Sequence, residues 1–78
     1  MKATIYFKNS TIKAINIDKL ISIKGRSSDT RKPLKNYDTA EKIRVFTPFA
    51  DESYSFTGGN GTFAFSGADI LYVELTEN

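Results

Sequence analysis

Apolar residues in this chain recur at every second position, the period that a half-buried β-strand face dictates. Ile5 and Phe7 alternate with Thr4 and Tyr6, Ile43 and Val45 with Lys42 and Arg44, and Tyr54 and Phe56 with Ser53 and Ser55. Phe63 and Phe65 alternate with Thr62, Ala64 and Ser66, and Leu71, Val73 and Leu75 with Ile70, Tyr72 and Glu74. β-Branched and aromatic residues fill these runs, as suits a pleated surface packed on one side. No window of a dozen residues holds a helical stripe. The pattern predicts an all-β domain of six or seven short antiparallel strands, curled into a small sheet, barrel or sandwich. The strands fall near residues 3–7, 11–17, 20–24, 42–47, 53–57, 62–66 and 70–76.

Turn chemistry agrees. Lys8-Asn9-Ser10 reads as a tight hairpin turn, and Gly58-Gly59-Asn60-Gly61 offers residues able to take positive φ between two strands. In the second strand Ile12 and Ala14 share one face while Ile15 and Ile17 share the other, a change of phase that predicts a bulge or bend. Gly67 and the Ala68-Asp69 link are suited to turning a corner. Ala14-Ile15-Asn16 followed by Leu20–Ile23 matches Ala64-Phe65-Ser66 followed by Ile70–Val73 at a constant offset of 50 residues. Each copy follows a hairpin, so two three-stranded units joined by an insertion are a further expectation. That insertion is the polar stretch 25–41, expected as one long loop with Leu34 and Tyr37 as its anchors and room for a helical turn near Asp38-Thr39-Ala40-Glu41.

At 78 residues the chain is one domain and buries only about 60% of its unfolded surface. It has no cysteine to form a disulfide or a thiolate metal site, so association into a homo-oligomer is the expected remedy. No stretch approaches the roughly 20 apolar residues that span a membrane, and the absence of cysteine and of an apolar leader points to the cytoplasm.

With no histidine and no cysteine, neither a Ser-His nor a Cys-His pair can be assembled. Asp29, Asp38, Glu41, Asp51 and Glu52 fall in loops of the kind that carry solvated charge, so no catalytic residue is expected. The donor set restricts any metal to a hard cation, and the EF-hand spacing is absent, so neither metal nor cofactor is expected. Gly58–Thr62 lacks the lysine and following helix of a phosphate loop.

All 11 basic side chains fall in residues 1–44, which carry net +7, whereas residues 45–78 carry net −5. Such asymmetry serves a basic binding face or mutual attraction of the two halves. Lys24, Arg26, Arg31, Lys32 and Lys35 cluster within twelve residues, with Tyr37 beside them. On a loop they could follow a phosphate backbone, giving salt-sensitive binding. Tyr6, Tyr37, Phe46 and Tyr72 are the aromatics least tied to the inward faces and the candidates for stacking on bases. Phe63 and Phe65 read as core. Strand 70–76 is apolar on both faces, so it is either covered twice within one protomer or presents Ile70 and Tyr72, with Tyr6, to another subunit.

The wealth of Lys, Asn, Ile, Phe and Tyr without Trp or His, and the texture of Thr4-Ile5-Tyr6-Phe7-Lys8-Asn9 and Phe65-Ser66-Gly67-Ala68-Asp69-Ile70, resembles small β-rich accessory proteins of Gram-positive phages and prophages. The resemblance is one of style across most of the chain and carries over no functional residue. It implies a protein that inhibits or sequesters a host component. Positive net charge argues against mimicry of duplex DNA. The leading expectation is therefore a non-enzymatic, homo-oligomeric module that binds a protein partner. Nucleic-acid binding through the Lys24–Lys35 segment is the alternative, and a sponge for a small anionic nucleotide, held between protomers against Arg31 and Gly59, is the third.

Overall fold

The alternating runs become two antiparallel sheets laid face to face. The computed structural model describes residues 1–8 and 11–77. Its strands are β1 (Lys2–Phe7), β2 (Ala14–Ile17), β3 (Ser22–Ser27), β4 (Lys35–Tyr37), β5 (Glu52–Gly58), β6 (Gly61–Ser66) and β7 (Ile70–Thr76). A single short helix, α1 (Ala40–Arg44), lies between β4 and β5, and a 3-10 turn over Gly67–Asp69 joins β6 to β7. One sheet has the order β2-β1-β7, the other β4-β3-β5-β6. Among the described residues no helix is long and apolar enough to cross a membrane.

The chain forms hairpin β1–β2 in the first sheet and crosses to β3 in the second. It then forms hairpin β5–β6 in the second and crosses back to β7 in the first. β3 lies against β5 and β7 against β1, so each hairpin is completed by the third strand of the other unit. The topology therefore repeats, with β4 and α1 inserted between the copies. Ile23 and Val73, 50 residues apart, hold equivalent places opposite Phe56 and Ile5. In β2 and β6 the equivalent residues, Ile15 and Phe63, are 48 apart. That slip of two leaves every inward face unchanged.

Ala3 and Ile5 from β1, Ile17 from β2, Ile23 from β3 and Tyr54 and Phe56 from β5 fill the space between the sheets. Leu20, Ile43 and Ile70 close the ends of this core. The ring of Phe46 stands edge-on to Tyr37, Tyr54 and Phe56, with centroids 5.1, 5.0 and 5.7 Å away. Phe63 and Phe65 pack half-buried against the same core. The β5–β6 turn is tied to the β2–β3 crossover: the Gly59 N–H donates to the Asp18 carbonyl at 2.7 Å, and Asn60 accepts from the Asp18 N–H and donates to the Asn16 carbonyl. A Cβ on Gly58 would lie 2.5 Å from that Asp18 oxygen, so only glycine lets the two segments meet.

Three expectations are corrected. Residues 42–47 are not a strand, because 40–44 form α1. Ala, Glu, Lys and Arg are strong helix formers, the Thr39 hydroxyl caps the helix by accepting from the Lys42 N–H at 3.2 Å, and Lys42 pairs with Asp38 at 3.5 Å. Of the two apolar residues that suggested alternation, Ile43 is buried while Val45 is 74% exposed. The polar stretch 25–41 is not one loop. β3 runs through to Ser27, and β4 forms within the stretch, held by Tyr37 on Phe46 and by Lys35. Leu34 is no anchor, being 64% exposed. The phase change at Ile12 is not a bulge within β2, because β2 begins only at Ala14. The tight turn at Lys8-Asn9-Ser10 lies partly outside the described residues.

Candidate functional site

β7 is an edge strand. It pairs only with β1, and among the described residues its outer side has no backbone partner. β7 is therefore not a central strand, and with Leu71 and Tyr72 about half exposed its outer face is not covered within the protomer. The register with β1 runs evenly from Lys2↔Thr76 to Tyr6↔Tyr72 and then shifts to Phe7↔Ile70, leaving Leu71 as an extra residue on β7. This bulge inverts the face that each side chain takes beyond it. Ile70, expected at an interface, instead points inward and is 3% exposed. Leu71, expected inward with Val73 and Leu75, turns out to solvent at 55% exposure. Tyr6 and Tyr72 do face outward, side by side across the β1–β7 ladder, with rings stacked at 4.4 Å and 21°. The Glu74 carboxylate next to them, then partial burial, raises the Tyr6 pKa above the usual tyrosine value.

Beside this free edge runs a groove of about 460 Å³ between Leu71, Tyr72 and Val73 on one side and Phe46, Thr47, Pro48 and Ala50 on the other, with Lys8 also in its lining. The opposite wall is the segment that leaves α1. It is held in place by Phe46 in the core, by Phe49 N–H donating to the Tyr54 hydroxyl at 2.7 Å, and by Gly67 packed directly on the Phe49 carbonyl. Nothing local in the sequence marked Leu71 or this wall, because a bulge is decided by how two strands register. An unpaired row of backbone N–H and C=O groups next to a groove with apolar and polar walls is suited to an extended peptide added as a further strand.

The basic cluster is divided by the fold. Arg31 forms a two-point pair with Asp29, at 3.0 and 3.2 Å, which holds the Asp29 carboxyl below its usual range. Lys35, partly exposed, reaches the buried Glu52 carboxylate at 2.8 Å, and that hydrogen bond raises the Lys35 pKa and lowers that of Glu52. Glu52 also accepts from the Tyr54 hydroxyl at 2.8 Å, and burial, foremost, pushes the Tyr54 pKa up. Tyr37, a candidate for base stacking, has its ring against Phe46. Lys24 and Arg26 remain on the outer face of β3, two residues apart and without an ion pair among the described residues, and Lys32 is exposed beyond them. Phe63 and Phe65 point inward, so no aromatic ring stands on this outer face.

Gly59, the glycine of the nucleotide reading, spends its N–H on Asp18. It lies beyond the Ser22↔Thr57 end of the β3–β5 ladder, whereas Arg31 lies beyond the Ser27↔Glu52 end, so one protomer does not bring them together. Compared with family models, curated proteins and solved structures, the chain matches none.

Proposed function

We propose that the protein is a non-enzymatic binding module that captures an extended segment of a partner protein along the outer edge of β7. The observation that carries this reading is a groove of mixed polar and apolar lining beside unpaired strand backbone. Strand addition would draw affinity from main-chain hydrogen bonds and selectivity from alternate side chains seated against Leu71, Val73 and Phe46. Tyr72, 48% exposed and braced by Tyr6, adds the rigid, amphipathic contact typical of interface centres. The bulge at Leu71 favours a different chain over a second β7 as occupant, because a kinked edge pairs poorly with its own copy. A phage accessory role in the cytoplasm, sequestering a host protein, belongs to the same proposal and rests on the style of the sequence.

A display library of random extended peptides tests it. The unmodified protein is expected to enrich peptides with alternating apolar residues. Leu71→Asp, a change at an exposed side chain, is expected to weaken their binding at least tenfold while leaving the circular dichroism spectrum unaltered. No enrichment, or enriched peptides that bind the Leu71→Asp protein equally well, would overturn the proposal.

A further inference from the structure

The second sheet turns toward solvent a face of unusual chemistry. β3 contributes Lys24 and Arg26 to it, and β5 and β6 contribute hydroxyl side chains and Ala64. None of the outward residues of β3, β5 and β6 is acidic, although the 34 residues that include β5 and β6 carry net −5. Two acids near this sheet are engaged, Asp29 with Arg31 and the buried Glu52 with Lys35 and Tyr54, while Asp51 stands exposed at the end where Ser27 meets Glu52. Two shallow hollows share Arg26 and Leu34. One, of about 330 Å³, runs over Lys24, Ser53, Ser55 and Ala64, and the other, of about 190 Å³, runs past Thr30 to Lys32. Together they form a track crossing three strands, with a cation at each stage, small residues on the sheet and the apolar side chain of Leu34 where the two hollows meet. Lys32 is the weakest of the three positions, since it feels both Asp29 and Glu52 without pairing with either.

We propose that this track, distinct from the β7 groove, binds the phosphodiester backbone of a single nucleic-acid strand. Lys24 and Arg26 project from the same face about 7 Å apart, a two-residue strand step comparable to the spacing of neighbouring phosphates in an extended strand. The Ser53 and Ser55 hydroxyls beside them supply neutral donors for phosphate oxygens. The small base of the track lets a backbone approach the sheet closely. With no aromatic ring on the face, bases have nothing to stack on and point away, so binding is indifferent to sequence. A duplex is the poorer fit, because three cations on a narrow track engage one strand only.

Fluorescence anisotropy with a dye-labelled oligothymidylate, a mixed-sequence strand of equal length and the corresponding duplex decides the matter. The two single strands are expected to bind alike and more tightly than the duplex. The logarithm of affinity should fall against the logarithm of salt with a slope of about −2, as for three neutralised phosphates. Replacing Lys24, Arg26 and Lys32 together by glutamine is expected to cost at least tenfold. The same number of charges removed at Lys2, Lys13 and Lys19, none of which lines either hollow, should cost less than threefold. Undetectable binding at low salt, equal losses in the two triple variants, or competition by polyglutamate as strong as by the oligonucleotide would overturn the proposal, the last by showing a face for acidic polypeptides. None of these results bears on peptide capture at β7, whose Leu71→Asp variant should bind the oligonucleotide normally.

Discussion

At the scale of single residues, the places with least freedom are where backbone meets backbone. A Cβ on Gly67 would lie 1.9 Å from the Phe49 carbonyl oxygen and 2.8 Å from that of Glu52, both main-chain atoms that cannot swing aside. Gly67→Ala is expected to cost at least about 2 kcal/mol by overpacking, read as a lowered urea midpoint. Because Phe49 lies between Pro48 and Ala50, which line the β7 groove, the same change should loosen the candidate site. Glu52 contributes to the response to acid. Lys35 first, then the Tyr54 hydroxyl, hold its pKa below the ordinary glutamate value, with burial opposing them. A group with a depressed folded-state pKa adds stability that is fully present above its unfolded value and is lost as pH falls through the depressed one. Acidification from pH 7 toward pH 3 should therefore lower the urea midpoint of the native protein more than that of Glu52→Gln, whose side chain does not titrate.

At the scale of elements, α1 and the bulge in β7 show what a single chain can and cannot announce. α1 has only five residues, and Ile43 with Val45 imitates a strand. Only its start was legible, as room for a helical turn near Asp38-Thr39-Ala40-Glu41; the Thr39 cap and the run on to Arg44 were not. Thr39→Ala should cost about 1 kcal/mol through loss of the bond to the Lys42 N–H. Val45→Ser should cost almost nothing, whereas it would be damaging if 42–47 were a strand with Val45 in the core. The long runs were legible because alternation and burial coincide: Ile5, Tyr54 and Phe56 point inward as their period requires. The inward positions of Phe63 and Phe65 were legible for the same reason. Leu71 was not, because nothing in Ile70–Leu75 specifies that β1 and β7 slip by one residue between Tyr6 and Phe7. Nor does spacing tell which cations of a cluster find acids. Arg31 and Lys35 do so through contacts made only after the chain folds.

At the scale of the whole molecule, two paired hairpins exchange their third strands, and the sandwich this makes has edges of unequal character. β2 and β4 are short, with four and three residues, and lysines lie at or beside them, the usual protection of an edge. β6 carries no charge and pairs only with β5 among the described residues, and β7 carries a single glutamate. Association into a homo-oligomer, proposed from the short cysteine-free chain, has its most suitable surface at β6. Light scattering on the eluted protein is expected to give twice the chain mass, and a monomer at high concentration would remove that part of the reading. The more central matter is whether β7 offers an open edge, and amide hydrogen exchange along this strand in dilute protein answers it most directly. Slow and fast amides should alternate from Tyr72 to Thr76, beyond the bulge, the slow ones bonded to β1 and the fast ones on the open edge. Protection of every amide in the strand, or of none, would contradict an edge held on one side and free on the other.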